Sequence, residues 1–379
     1  MSHVSPVTYY DAVNDALERL DDLGYERGKG VDLANHGPMG AEALALLGHE
    51  DEVAHWVGRY RRVMEHHEPP SERFPLSADE SSWRPALGDF GRAGDWEALF
   101  ARELAEAHWR DVLARWWPRL LPGLFAGLTH GLIRTAHAVR GLSAAGDRPT
   151  PYQHRELARG LAYWAARYSE LPGTPRLAGR YTVPAAVAAL PRTAEDRPFD
   201  AAVVGGRFAA LGGLPAYGDA LEWLAPEEAV HLLGEMTCQF ADVYLGHPEV
   251  FPVPLVHGVT APAAVRLVLP HLPHELHGPT AARLWQVQSA FLLALTTDRR
   301  GEGTAAWREE VPELPPTGEL AARAAEHGDE HVIKFTEACL REYALRPDLR
   351  YLAAAAVAQR RIPRLDEGGG VSRVRPGAA

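Results

Sequence analysis

At 379 residues and a formal net charge of −11, with 46% hydrophobic and 23% charged residues, the chain has an ordinary globular composition, long enough for one large core or two domains. Its acidic balance excludes a nucleic-acid footprint, and no basic run interleaved with aromatics occurs. The longest apolar runs are interrupted by Pro or Arg, Met1–Ser5 lacks the start of an export signal, and Cys238 and Cys339 stand alone; no membrane, no nucleic-acid partner and a cytoplasmic location are expected.

In chain order, apolar residues spaced by three and four predict helices over 9–25, 40–66 and 95–117, the last with Asp95 as N-cap and Pro118 as stop. The stretch 122–141 is apolar almost all round and is expected to be buried. Further helices are predicted over 154–170, 217–247, 260–270, 279–297, 318–345 and 348–360. Residues 180–183 and 201–204 read as strand or helix, and proline-rich breaks separate the helices without an evident linker. The expectation is an all-α fold: one large helical domain over 1–360, in one body or two lobes, and a flexible tail over 361–379.

Only two lysines, Lys29 and Lys334, occur among 39 basic residues. Lys334 sits in Asp329-Glu330-His331-Val332-Ile333-Lys334, where helical spacing puts His331 and the amine on one face. Unlike guanidinium, a buried amine loses its charge readily, and can then form a Schiff base, act as a base, or take up CO2 to become a metal-binding carbamate. The plainer reading is a lysine that merely solvates its helix.

Three more histidines have informative surroundings. His36 lies in the helix-breaking turn Asn35-His36-Gly37-Pro38; His130 lies in the apolar stretch Leu128-Thr129-His130-Gly131; His257 opens His257-Gly258-Val259-Thr260 after two prolines, at an expected helix start. Each alone reads as a structural histidine satisfied by hydrogen bonds, because an imidazole in an apolar setting needs a partner. Four such positions together with the isolated lysine point to a shared metal site.

The order Asn-His-x-Pro, His in an apolar helix, His-x-Val-Thr and Asp-x-His-x-x-Lys resembles the questin oxidase-like family, over about residues 30–345. That family includes fungal enzymes that oxidatively open anthraquinone rings. The resemblance implies an all-helical protein holding one non-haem Fe(II), with dioxygen as co-substrate and an aromatic, polyketide-like small molecule as substrate. It implies as ligands His36, His130, His257, His331 and a carboxylated Lys334, with His137, one heptad beyond His130, as a possible replacement for it. Imidazole suits ferrous iron, and a carbamate would supply an oxygen anion that no nearby Asp or Glu obviously provides. Thr260, one turn beyond His257, either faces the open coordination position or caps its helix; Asp329 either orients His331 or caps the Lys334 helix.

Other groupings fit a site less well. His271-x-x-His274-x-x-His277 contains two prolines and reads as an exposed loop; Glu52-x-x-His55 lacks the second copy that a di-iron site needs; Gly205-Gly206 and Gly212-Gly213 lack a dinucleotide-binding pattern. Trp116, Trp117 and Trp164 read as core residues or as lining for an aromatic pocket. Three alternatives stay open. They are a reduced-nicotinamide-dependent Baeyer–Villiger monooxygenase of the same family, a hydrolase built on a carbamylated lysine, and a helical binding protein without turnover.

Overall fold

A computed structural model describes residues 6–29, 32–192, 201–296, 298 and 301–365, with the backbone alone for 201–204. The longer helices are α1 (Tyr9–Arg19), α2 (Gly37–Leu46), α3 (Val53–Val63), α4 (Ala93–Glu106), α5 (Trp109–Leu120), α6 (His130–Ala145) and α7 (Pro151–Ala166), then α8 (Ala201–Ala210), α9 (Ala229–Gly246), α10 (Pro252–Val268), α11 (His277–Leu295), α12 (Thr317–His327), α13 (Glu330–Leu345) and α14 (Leu349–Arg361). The fold is all-α. Among the described residues the only strands are β1 (Glu26–Arg27) and β2 (Leu33–Ala34), a short antiparallel pair. Val183 opens a short helix, 201–204 open α8, and Tyr181 makes only an isolated bridge to Leu224.

Element boundaries moved where local signals were read too simply. The stretch 40–66 is two helices, α2 and α3, and 95–117 breaks between α4 and α5 at the extended residues Ala107 and His108. The stretch 318–345 breaks at Gly328, whose φ of +81° ends α12 and lets Asp329 cap α13. Asp95 is not an N-cap: it lies inside α4, where its carboxylate accepts the backbone N–H of Phe74 at 2.9 Å. Pro118 lies inside the last turn of α5 instead of ending it. Helix α10 starts at Pro252, not at 260, because Pro252 and Pro254 occupy the first turn, where an N–H has no intrahelical partner.

A small apolar cluster joins α1, α2 and α3 to Ile333, and a large one fills the remainder. Trp96, Trp116, Trp117, Trp164 and Trp285 are all under 2% exposed, so the tryptophans singled out above are core. Helix α6 packs on α7 and α10, α10 packs on α9 and α13, and α13 packs on α2. Two glycines permit these close approaches. A Cβ on Gly131 would meet the Trp164 Cα at 2.5 Å, and one on Gly258 would meet the Phe240 ring at 2.1 Å. Each glycine directly follows a candidate ligand, His130 or His257.

The span Pro252–His271 is long and apolar enough to cross a membrane, but 78% of it is buried inside the protein. Residues 361–365, assigned to the tail by sequence, are packed: Ile362 and Leu365 are buried, and the Leu365 N–H donates to the His327 carbonyl. The remaining tail, 366–379, lies outside the described residues.

Candidate metal centre

His36 stands at the N-cap position of α2 in a turn held from several sides. Its N–H donates to Tyr60 Oη at 2.7 Å, while Asn35 accepts from the Gly37 N–H and from Tyr60 Oη, each at 3.0 Å, and donates to the Gly24 carbonyl at 2.8 Å. These contacts explain why this turn carries Asn35 beside the histidine.

His130 is the first residue of α6, not an interior one. It follows Leu128 and Thr129, whose φ values of 55° and 71° are left-handed and unfavourable for such side chains. That geometry brings Thr129 Oγ1 within 3.1 Å of His257 Nδ1. It also closes a bond between His130 Nδ1 and the Gly127 carbonyl. A carbonyl only accepts, so Nδ1 carries the proton and Nε2 keeps its lone pair.

His257 sits well inside α10 rather than at its start. His331 and Lys334 occupy the first turn and a half of α13. Asp329 caps that helix by accepting the His331 N–H at 2.8 Å and the Val332 N–H at 3.2 Å, and it also lies 3.4 Å from His331 Nδ1. Both roles weighed for Asp329 therefore have a contact behind them.

These segments, distant in sequence, converge. Ring centroids are 4.6 Å apart for His36–His130, 4.6 Å for His36–His331 and 4.5 Å for His130–His257. His36, His130 and His331 can each offer one nitrogen such that all lie within 4.8 Å of one another. His36, His257, His331 and Lys334 are buried, and the Nε2 of His130 is enclosed although the residue as a whole is partly exposed.

The electrostatics suit neutral ligands. Burial pushes His36 and His257 well below the usual imidazole range, lowers His130 to about 3 and lowers His331, with the nearby Lys334 amine adding to the effect in each case. Burial also lowers Lys334 to about 7, against a pull upward from Asp329 and a push downward from Arg27. Both ring nitrogens of His36, and Nε2 of His130 and of His257, are buried without a hydrogen-bond partner. Orphaned imidazole nitrogens are costly in a protein interior, and a cation of the first transition row is what several neutral imidazoles facing one another satisfy. The donor set thus fits a mononuclear metal ion.

His137 does not join the cluster. Its Nδ1 is 2.7 Å from Glu42 Oε2, inside an ion-pair network with Arg140. Thr260 is not an N-cap: it lies mid-helix on the His257 face of α10, and its hydroxyl donates to the Val256 carbonyl at 3.1 Å, leaving only oxygen lone pairs to offer the centre. The 271–277 segment, expected as an exposed loop, is instead two short turns and the start of α11: His274 is 82% exposed, its ring lies 5.1 Å from that of His277, and His277 bonds to the Leu272 carbonyl. A further grouping of Glu26, Asp32 and His67 is explained without an ion, since Arg167 and Tyr163 already engage Glu26.

Sequence reasoning missed Glu330. This buried carboxylate pairs with Arg27 and lies 3.6 Å from His36 Nδ1, so an acidic group does stand beside the cluster. Its position in Asp329-Glu330-His331 was the available signal, but its partner is 303 residues away in sequence.

A cavity of about 880 Å³ is lined by Phe125, Leu128, Phe208, Pro254 and Leu295, with Glu170 also on its wall; none of the candidate ligands lines it. Leu128 is two residues before His130, and Pro254 is one turn before His257 on α10. Phe125 and Phe208 have ring centroids 4.9 Å apart.

No family model matches this chain, and no curated protein does.

Proposed function

We propose that this protein is a mononuclear non-haem iron(II) oxygenase that uses dioxygen on an aromatic, polyketide-like phenol or quinone. His36, His130, His257, His331 and a carboxylated Lys334 would hold the iron, which when bound supplies the means of activating dioxygen at an otherwise apolar centre. The observation that carries this reading is the meeting of four imidazoles, three of them with buried nitrogens that lack a hydrogen-bond partner, all four feeling the charge of one buried amine, Lys334.

The chain's own residues account for the ligand chemistry. With its amine near neutrality at about 7, Lys334 can attack CO2: an N–C bond forms, one C=O becomes C–O⁻ and a proton leaves to solvent. The Gly127 carbonyl holds His130 in the tautomer that leaves Nε2 free, and Thr129 and Asp329 stand where they can do the same for His257 and His331. For the substrate, Phe125 and Phe208 offer flat apolar faces against which an aromatic ring can stack, in the cavity whose lining residues Leu128 and Pro254 lie close along the chain to His130 and His257.

Metal content tests the reading directly. One iron per chain after anaerobic purification, lost in Lys334→Arg and His331→Ala together with aromatic-dependent oxygen consumption, is the expected result. Two zinc or manganese ions per chain point to the hydrolase alternative, and no metal at all to a binding protein; either overturns the proposal.

A further inference from the structure

Three of the four imidazoles have a partner for Nδ1. His130 has the Gly127 carbonyl, His257 has Thr129 and His331 has Asp329. His36 has none within hydrogen-bond distance, yet its backbone is pinned by Tyr60 and Asn35 and cannot swing away to find one. Glu330 Oε1 lies 3.6 Å from His36 Nδ1.

Glu330 is itself 2% exposed and is held by the Arg27 guanidinium, which lies over the Tyr60 ring at 4.4 Å from its centroid. Its Oε2 is buried without a partner. Glu330 Oε1 also lies 4.0 Å from His331 Nδ1, and Glu330 groups with Asp329 and His331, but it is not part of the set that His36, His130 and His331 form within 4.8 Å. A carboxylate already paired with a guanidinium is suited to serve a ligand rather than to replace one. A small rotation of the His36 ring brings Nδ1–H into bonding range of Glu330 and turns Nε2 to the centre.

Taking the cluster as a metal centre, we infer that Glu330 is a positioning residue: it accepts the Nδ1–H of His36 and aims Nε2 at the ion, with Arg27 balancing its charge. Carboxylate–imidazole–metal relays of this kind fix the tautomer and raise the basicity of the ligand.

Cobalt(II) binding tests this without reference to turnover. Metal-free wild type and Glu330→Gln are titrated with Co(II) against a competing chelator, while the visible spectrum reports the ligand geometry. Weakening by about 10- to 100-fold in E330Q, with an altered spectrum, is expected. Because E330Q leaves Arg27 buried without its anion, the double variant R27Q/E330Q, which removes both charges, is measured alongside. It is expected to melt close to wild type when metal-free and to show the same loss of Co(II) affinity. Wild-type affinity and spectrum in the double variant overturn the role of Glu330 while leaving the metal centre standing. Failure of wild type itself to bind Co(II) overturns both.

Discussion

Arg140 Nη1 lies 2.7 Å from Glu337 Oε1, and its Nε lies 2.7 Å from Glu42 Oε1. One guanidinium therefore ties α6 to α13 and to α2. These are the helices whose N-terminal ends carry His130, His331 with Lys334, and His36. The ion pairs sit about two to three turns beyond the histidines on the same helices, where they fix the spacing of the ligand-bearing ends. Arg140 keeps Glu337 and Glu42 well below the usual carboxylate range despite their burial.

Arg140→Met is expected to destabilise the protein by about 3 kcal/mol, because it removes the cation that two buried carboxylates share and leaves Glu337 only Arg341, and Glu42 only His137 and Tyr9. Chemical denaturation of the metal-free protein measures this. A change under about 1 kcal/mol would show that the network is not what holds the three helices.

Lys334→Met should make the metal-free protein more stable while abolishing iron retention. The unfolded chain keeps the lysine proton up to its ordinary 10.5, whereas the folded chain keeps it only to about 7. The folded state is thus penalised most at and below neutrality, and the penalty shrinks as pH rises from about 7 towards 10.5. The advantage of the methionine variant should shrink over the same window in thermal melts; an advantage that does not vary with pH counts against a buried, near-neutral amine.

Carboxylation of Lys334 makes iron loading depend on CO2. Reconstitution in bicarbonate-free, CO2-purged buffer should leave most chains without iron, and added bicarbonate should restore it. Below about pH 7 the amine is mostly protonated, so loading should also fall there. Equal loading with and without bicarbonate contradicts the carbamate.

The histidines carry the opposite end of the pH profile. His36, His130, His257 and His331 are lowered by burial, so the unfolded chain binds protons near its ordinary 6.5 before the folded one does. Stability is fully present above that value and is lost as pH falls below it. His247, raised by Glu302 and Glu249 against its own burial, works the other way, but it is one group against four. Melting of the metal-free protein between about pH 7.5 and about pH 5 should fall steadily.

Ala209 is exposed on α8 and lines the cavity of about 880 Å³. Ala209→Trp should narrow that cavity, leaving iron content unchanged while weakening binding of a planar probe such as 1,8-dihydroxyanthraquinone. Undiminished probe binding moves the substrate site elsewhere.

Local chemistry made the helices legible, because apolar spacing, proline placement and capping residues act within one or two turns. The scarcity of lysine singled out Lys334, and the turn around His36 was readable from Asn35 and Pro38. The start of α6 was not. Left-handed Leu128 and Thr129 are held by their surroundings against their own preference, so the helix begins at His130 and not earlier.

The choice between His130 and His137 was equally out of reach, since it turns on Glu42, 95 residues from His137. Glu330 looked like an ordinary first-turn acid until Arg27 came to lie against it from the β1 strand. Sequence by itself determined the all-α class and most of the helical segments and singled out Lys334 and the histidines, because those follow from neighbours along the chain. Only the tertiary structure decided which imidazoles meet, which nitrogen of His130 keeps its proton and which carboxylate lies near His36. Those outcomes depend on burial and on partners brought together from distant segments.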